Sequence, residues 1–429
     1  MKSTARTIVS FVMEHPGLLL ILIGKNKRIN LSPYTLNSEA SLVKYKVSSI
    51  VLNDFTRDSR VQKQAASLAK AGYDLTVFAL WKKGLLEAET KEGFKIRRIR
   101  IFSSFLNGSF GRLIKFLEFS CKVSWKIKKT DIVHCHDYHP LPAMLLANLF
   151  FRSKFRVIYD AHEYESQKLG LGELSKLSIR ILEKISSYFV DGFITVSGSI
   201  MEMYGNLFSK IPQTLILNCP PYEKEVESNR FQSLLSIPSG AVNCLYQGGF
   251  IPHRGIEELT QAFSNDEMKD VNIILMGHGG MTKAGQDLEK QILDLSIKQK
   301  NIYHVQSVPM HELLSFTSSA SVGVCLTIDN CLNHRYSLPN KFFEYAMAGL
   351  PILVSDLPEM RKLVEDYNCG IICESITPEG IVKGLRKLLR HDLKILGKNA
   401  RKMAEDHSWE VQEEKLLSLY DKVLHKKTT

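Results

Sequence analysis

Tyr336-Ser-Leu-Pro-Asn-Lys-Phe-Phe-Glu-Tyr-Ala-Met-Ala-Gly-Leu-Pro-Ile352 reads as a loop that turns into a helix aimed at an anion. Pro339 suits the first helical turn, where a missing N–H costs nothing, and Gly349 suits the position just past the helix end, with Pro351 beyond it. Lys341 and Glu344 stand three apart and share one helix face, which leaves Phe342, Phe343, Ala346 and Met347 to pack inward. The free N–H groups of the first turn, which begins at Asn340, and the Lys341 ammonium can together hold a diphosphate. Glu344, one turn deeper, can accept hydrogen bonds from two vicinal hydroxyls such as those of a ribose. The same residues also make an ordinary short amphipathic helix with a solvated ion pair, and on this stretch alone both readings stand.

Outward from this helix the chain alternates strand and helix from residue 46 onward. Apolar strands are expected at Val47–Leu52, Asp74–Leu80, Ile96–Phe102, Asp131–Cys135, Arg156–Tyr159, Gly192–Val196 and Thr214–Leu217. A second series is expected at Asn243–Gln247, Asn272–Met276, Ile302–Val305, Ser321–Leu326, Pro351–Val354 and Gly370–Cys373. Continuous apolar strands separated by helices imply parallel, doubly wound sheets. The Pro-containing, charged stretch 218–230 divides the two series and suits an interdomain linker. The expected architecture is therefore α/β, with two Rossmann-like units facing across a cleft. The first unit covers 46–222 and the second 223–407. A closing helix in 408–429 is long enough to cross back to the first unit.

The 429 residues exceed the usual size of one domain. Hydrophobic content of 44% and charged content of 24% are ordinary for a globular protein. The eight cysteines include no C-x-x-C pair, so free thiols in a reducing cytosol are the simplest reading. A net charge of +11 favours an anionic partner. Residues 1–45 form an N-terminal extension. Its apolar run from Thr7 to Gly24 is interrupted by Glu14, His15 and Pro16, and what remains is too short to span a bilayer. A peripheral or disordered extension is expected there, with an interfacial anchor and, after it, a true membrane span as the alternatives.

Ligands of open parallel sheets bind at the C-terminal ends of strands. After the first strand comes Asn53-Asp-Phe-Thr-Arg-Asp-Ser-Arg60, which puts Asp58 and Arg60 near a helix start and lacks a G-x-G-x-x-G fingerprint. It can face a ligand, or it can be a capping loop with Asp58 or Ser59 as N-cap. The strand ending His134-Cys-His-Asp137 turns His134 and His136 to one face. No further ligand cluster accompanies that pair, so no metal is expected, and His136 and Asp137 are read as lining the cleft. The next strand ends Tyr159-Asp-Ala-His162-Glu163, where a histidine beside a phosphate site can hydrogen-bond a reacting sugar. In the second unit, Gly248 and Gly249 of Tyr246-Gln-Gly-Gly-Phe-Ile-Pro-His-Arg254-Gly255 let backbone approach a ligand, and Arg254 brings a guanidinium fork to phosphate oxygens. Gly277-His-Gly-Gly280 suits the passage of a base or ribose edge. Arg254 and Lys341 at equivalent strand ends are stronger evidence of a diphosphate than either alone.

Taken in order, Tyr246–Gly255, Pro339–Pro351, the H-x-H of 134–136 and Tyr-Asp-Ala-His-Glu of 159–163 resemble the family-4 retaining glycosyltransferases with the GT-B fold, in the branch that carries P-x-K-x-x-E. The resemblance spans residues 46–425. It implies that His162 lies over the donor sugar and β-phosphate, that Arg254 and Lys341 hold the diphosphate, and that Glu344 binds the ribose. It sets the loop Asp58–Arg60 facing donor phosphate and acceptor. Two positions depart from the pattern. Tyr336 stands where the family has the first Glu of E-x7-E, and Gly249 stands where it more often has an Arg.

The resemblance implies a transferase that needs no metal or other cofactor and moves a sugar from a nucleotide sugar, UDP- or GDP-linked, to a glycan or lipid-linked acceptor on the cytoplasmic side. Residues 81–129 hold thirteen Lys/Arg against four Asp/Glu. Within them Arg112–Lys129 mixes cations with large apolar residues, which suits peripheral contact with an anionic membrane or, equally, an ordinary helix packed on the sheet. The alternatives are a sugar-nucleotide epimerase of the same fold, a non-catalytic sugar-nucleotide sensor, or a nucleic-acid-binding protein. Cations at strand ends rather than along an exposed sheet face disfavour nucleic acid.

Overall fold

The structure, a computed structural model, describes residues 45–425. The expected N-terminal extension therefore lies, but for Tyr45, outside the described residues.

The first series of strands comprises β1 (Lys46–Ile50), β2 (Asp74–Leu80), β3 (Ala88–Lys91), β4 (Phe94–Ile99), β5 (Ile132–His136), β6 (Arg156–Ala161), β7 (Gly192–Thr195) and β8 (Gln213–Leu215). They form one sheet in the order β3-β4-β2-β1-β5-β6-β7-β8. Every neighbouring pair is parallel except β3–β4. The second series is β9 (Val242–Gln247), β10 (Val271–Met276), β11 (Ile302–Val305), β12 (Val322–Cys325), β13 (Ile352–Ser355) and β14 (Gly370–Cys373). Its order is β11-β10-β9-β12-β13-β14, parallel throughout.

The strands read as apolar runs because both faces of each sheet are covered. In β6, Tyr159 enters a core with Phe119 and Phe193 on one face, while Ile158 packs with Val61 and Ile194 on the other. The closing helix, Trp409–Leu424, supplies Leu416, Leu419, Tyr420 and Val423 to that second face. Burying such a leucine or valine contributes about 1.5–3 kcal/mol. Trp409 fixes the helix start, its Nε1 donating to Ser67 Oγ at 3.0 Å. Gln412 Oε1 accepts from the Leu217 N–H at 3.1 Å, at the end of the first unit.

β3 had no counterpart in the sequence reading. It is a four-residue polar edge strand joined to β4 through Glu92 and Gly93, both at positive φ. That is the backbone of a tight two-residue hairpin turn. Among the described residues, no helix is long and apolar enough to cross a membrane.

Candidate active site

The helix that opened the sequence reading runs Asn340–Met347, with Pro339 as its N-cap rather than inside its first turn. Its end is a Schellman motif. Gly349 takes φ 73°, its N–H donating to Ala346 O at 2.9 Å while the Leu350 N–H donates to Tyr345 O at 3.0 Å. Phe342, Phe343, Tyr345, Ala346 and Met347 are buried, which fixes the helix roll and turns Lys341 and Glu344 to the opposite side.

That side is the wall of a cavity of about 430 Å³. Lys341, Glu344, Asn340, Gly248, Gly249 and Arg254 all line it, together with His162 and Arg60 from the first unit. The Lys341 ammonium lies 3.5 Å over the Tyr246 ring. Arg254 Nη1 donates to Thr327 Oγ1 at 3.4 Å. Glu344 Oε2 accepts from Gln247 Nε2 at 2.6 Å, and Gln247 Oε1 in turn accepts from Thr317 Oγ1 at 2.8 Å. Burial raises the Glu344 carboxyl above its ordinary value, against the pull of Gln247 and Lys341.

A second cavity, of about 480 Å³, adjoins the first and is lined by Asp58, Arg60, Asp137, Asp54 and Lys168. The two share His162, Glu163, Arg60 and Asn340. Asp58 both faces this cavity and caps the helix Ser59–Lys70, its Oδ1 accepting from the Val61 N–H at 3.2 Å. The two readings of this loop are thus compatible. Arg60 Nη1 donates to the His162 carbonyl at 3.4 Å. Asp137 stands at φ 62°, a left-handed position, and its Oδ1 accepts from the His162 N–H at 3.3 Å.

The His162 side chain is held between two carboxylates. Its Nε2 lies 3.2 Å from Asp160 Oδ2 and its Nδ1 lies 3.7 Å from Asp137 Oδ1. Burial pushes the imidazole down, but the two carboxylates outweigh it and hold it above its ordinary value. Asp160 is buried. Its Oδ2 also accepts from Gln64 Nε2 at 2.8 Å and sits 3.4 Å from His136 Nδ1 and 3.7 Å from His134 Nε2. Burial alone would raise this carboxyl, but the His162 charge and the surrounding imidazoles hold it well below the usual range. Behind His134, the Tyr420 hydroxyl of the closing helix stands 2.9 Å from Nδ1. The potential ligand atoms of His134, His136 and Asp160 lie within 4.8 Å of one another. Asp160, part of the Tyr159–Glu163 strand end, completes this group from the next strand, a meeting with the H-x-H that sequence spacing did not reveal.

Three residues expected in the site stand elsewhere. His136 does not line the cleft: it is 3% exposed, because at the end of β5 it is covered by Ser49 of β1 and Asp160 of β6, and its Nδ1 lies 3.2 Å from His162 Nε2. Tyr336 lines neither cavity; its ring packs against the apolar core of the first unit. Gly277 also lines neither, since it lies under the loop that does. A Cβ there would collide with the Gly248 carbonyl oxygen. Gly277→Ala is therefore expected to push the Gly248 loop outward and weaken nucleotide binding by about 1–3 kcal/mol, the usual cost of overpacking, although the residue lines neither cavity. Titration calorimetry with a nucleoside diphosphate checks this.

The sequence reading also missed cavity residues. Gln247 orients Glu344, yet it reads as the last residue of an apolar strand. Asn333 lines the first cavity and accepts from the Tyr164 N–H at 3.0 Å across the cleft, from a four-residue helix with no periodic signal.

The buried histidines set an acid limit. Burial and the neighbouring His136 push His134 down to about 4, and burial does the same to His139. The unfolded chain binds protons below about 6.5 that these folded groups refuse. Stability should fall as pH drops from about 6.5 towards 4, by up to about 3 kcal/mol per group. His162, with its raised value, opposes this, since its contribution is present at low pH and lost as pH rises. The net expectation is a lower thermal midpoint at pH 4.5 than at 7, measured by calorimetry.

Two doubly wound units, with a cation-lined cavity at the strand ends of the second opening onto the first, make the architecture of the GT-B fold. Residues 59–217 match the model of Glycosyltransferase Family 4, and residues 230–405 match that of Glycosyl transferases group 1. The chain belongs to the group 1 glycosyltransferases. No curated protein matches its sequence. Among solved structures, it is similar to sucrose-phosphate synthase from Thermosynechococcus elongatus, with TM-score 0.74 and 16% identity over 90% of this chain and 100% of that one. A glycosyltransferase from Rickettsia africae gives 0.69 and 14% over 90% and 100%. Anabaena HepE in complex with UDP-glucose gives 0.68 and 12% over 88% and 99%. At these identities the likeness concerns the fold.

Proposed function

We propose that the chain transfers a sugar, with retention of anomeric configuration, from a nucleoside diphosphate sugar to a hydroxyl of a glycan or lipid-linked acceptor in polysaccharide or glycolipid assembly. The observation that carries this reading is the meeting of two cavities at His162, Glu163, Arg60 and Asn340. One cavity holds the paired cations and Glu344, while the other is walled by Asp58 and Asp137.

On this reading Arg254 and Lys341 bracket the diphosphate and Glu344 takes the ribose hydroxyls. The backbone of Gly248 and Gly249 makes room for the phosphates, and Asn340 opens the helix whose N-terminus faces them. UDP-glucose, held by the Anabaena structure, is of the donor class this site suits. The cations neutralise the departing diphosphate, so on this reading no metal is required. His162, whose charged form Asp160 and Asp137 favour against burial, stands beside the place where the bond breaks. The acceptor hydroxyl enters from the cavity of Asp58, Arg60 and Asp137 and attacks the face the leaving group vacates, assisted by the leaving phosphate. The division into an acceptor-side unit over 46–222, a donor-side unit over 223–407 and a closing segment over 408–429 is part of the same reading, as is a cytoplasmic site of reaction where nucleotide sugars are made.

The test is a transfer assay with UDP- and GDP-sugars and a membrane or glycan extract, with the new linkage read by NMR. A product with the donor's anomeric configuration is expected. An inverted linkage would overturn the retaining mechanism, and epimerised nucleotide sugar without transfer would overturn the reaction class.

A further inference from the structure

The helix Gly108–Ile127 is apolar on two sides. Phe119, Val123 and Ile127 are buried in the core of the first unit. On its outer side, where a helix packed on a sheet is normally polar, it carries a stripe of Phe110, Leu113, Leu117, Cys121 and Trp125, spaced three or four apart. Phe110 is 73% exposed and Trp125 61%. Two neighbours on the same core continue this surface. The helix Leu141–Phe151 ends in exposed Leu149 and Phe150. The helix Glu173–Ser186 shows its own outward stripe of Leu174, Leu177, Ile181 and Ile185, with Leu174 82% exposed. Scattered exposed apolar residues need no explanation, but a continuous run over three adjacent helices does.

The charge on the first of these helices and its flanks is mainly positive, whereas on the third the exposed Glu173 pairs with Lys176 at 2.7 Å. Between Arg100 and Thr130 there are seven cations and one acid, Glu118. That acid is already engaged by Lys122 at 2.6 Å and by the backbone of Phe102 and Ser103. The cations and rings are interleaved. Lys122 lies 3.9 Å over the Phe102 ring, and Lys128 lies 3.6 Å over Trp125 and 5.3 Å from Phe151. Lys126 and Lys129 stand exposed beside Trp125. The surface also reaches the acceptor side of the cleft. The Phe116 ring makes an edge contact with His139 at 6.2 Å, two residues beyond Asp137.

We propose that this three-helix face lies on an anionic lipid bilayer, with the helix Gly108–Ile127 parallel to the membrane surface. Its 20 residues give a contact about 30 Å long. The apolar stripes enter the boundary between headgroups and acyl chains, the aromatic rings sit at headgroup level, and the lysines pair with lipid phosphates. An acidic protein partner would explain the cations but not an apolar surface spread over three helices without a groove-forming segment. The docking does not rest on the transferase reading. What rests on it is the consequence that a lipid-linked acceptor is presented at the Asp137 end of this face.

The test is flotation of the full chain with vesicles of phosphatidylcholine alone and of phosphatidylcholine with about one third phosphatidylglycerol. Wild type should float with the anionic vesicles, less so as salt rises, and little with the neutral ones. Two variants separate the contributions: Leu113→Glu with Leu117→Glu and Trp125→Glu, and Lys126→Glu with Lys129→Glu. Each should lower vesicle binding by about tenfold or more. Both should keep the wild-type thermal midpoint and affinity for nucleoside diphosphate, because all five side chains lie outside the core and the cleft. Undiminished flotation of the triple variant would overturn the proposal and shift the contact to residues 1–44 or elsewhere. Failure of wild type to float would also overturn it. So would a self-association, read by analytical ultracentrifugation, that the triple variant abolishes while vesicle binding persists. Both variants should also retain sugar transfer to soluble acceptors.

Discussion

Lys341→Ala should lower kcat/KM for the nucleotide sugar by about 10²–10³, or about 3–4 kcal/mol of transition-state stabilisation. The ammonium lies against Tyr246 and beside Gly248, in the same cavity wall as Arg254. On the proposed reading both cations face the place where the diphosphate gains charge as the sugar departs, so part of their effect should appear only in the transition state and lower kcat. The remainder is ground-state attraction and should appear as weaker inhibition by the free nucleoside diphosphate. Arg254→Ala should act in the same direction. The double variant should lose less than the product of the two, because both groups serve one ligand. Stability should change little: the contact of Lys341 with Tyr246 is worth about 0.5–1 kcal/mol, so a preserved thermal midpoint separates lost catalysis from lost folding. Wild-type kcat/KM in both single variants would remove the diphosphate assignment.

Asp160→Asn should be nearly as damaging, although Asp160 lines neither cavity. It is a positioning residue. Its Oδ2 takes His162 Nε2 at 3.2 Å and Gln64 Nε2 at 2.8 Å, and it is the carboxylate that His134, His136 and His162 share. An asparagine keeps the shape and an acceptor oxygen but removes the charge that, with Asp137, holds His162 above its ordinary value. The expected fall in kcat is about 10²–10⁴, the range for a misplaced or wrongly protonated proton-bearing group. The pH profile distinguishes this from simple damage. If the imidazolium is the active form, activity falls as pH rises through the His162 value. Removing Asp160 lowers that value, so the decline should begin at lower pH than in wild type. A reduced kcat with an unmoved alkaline limb would mean that Asp160 only supports the fold. The variant should also lose stability at acid pH, where the buried imidazoles take up protons without a carboxylate to meet them.

These two residues also show what the sequence could and could not reveal. Lys341 was readable because its helix carries local signals: a Pro at the start, a Gly that takes positive φ at the end, and apolar residues that fix the roll. Strands such as Asp74–Leu80, Ile302–Val305 and Gly370–Cys373 were found to the residue for the same reason, being apolar runs bounded by turns. Asp160 was invisible as a partner of His162. It lies in an apolar strand, and the residues that meet it come from Gln64, His134 and His136, up to nearly a hundred positions away. Period-two geometry put His134 and His136 on one face but gave no depth, so His136 was read as lining the cleft when it lies one layer behind. Tyr336 was placed by its resemblance to a motif position, and its ring turned instead to the first unit. β3 escaped because Ala-Glu-Thr-Lys has no apolar alternation; only the Glu92-Gly93 turn marked it.

Titration calorimetry of the purified chain with UDP, GDP and ADP, in wild type and Lys341→Ala, tests the central claim most directly. The account predicts that one nucleoside diphosphate binds, that the corresponding monophosphate binds more weakly, and that Lys341→Ala loses at least about tenfold in affinity. Absence of binding by every nucleoside diphosphate, or equal binding by wild type and Lys341→Ala, would contradict it.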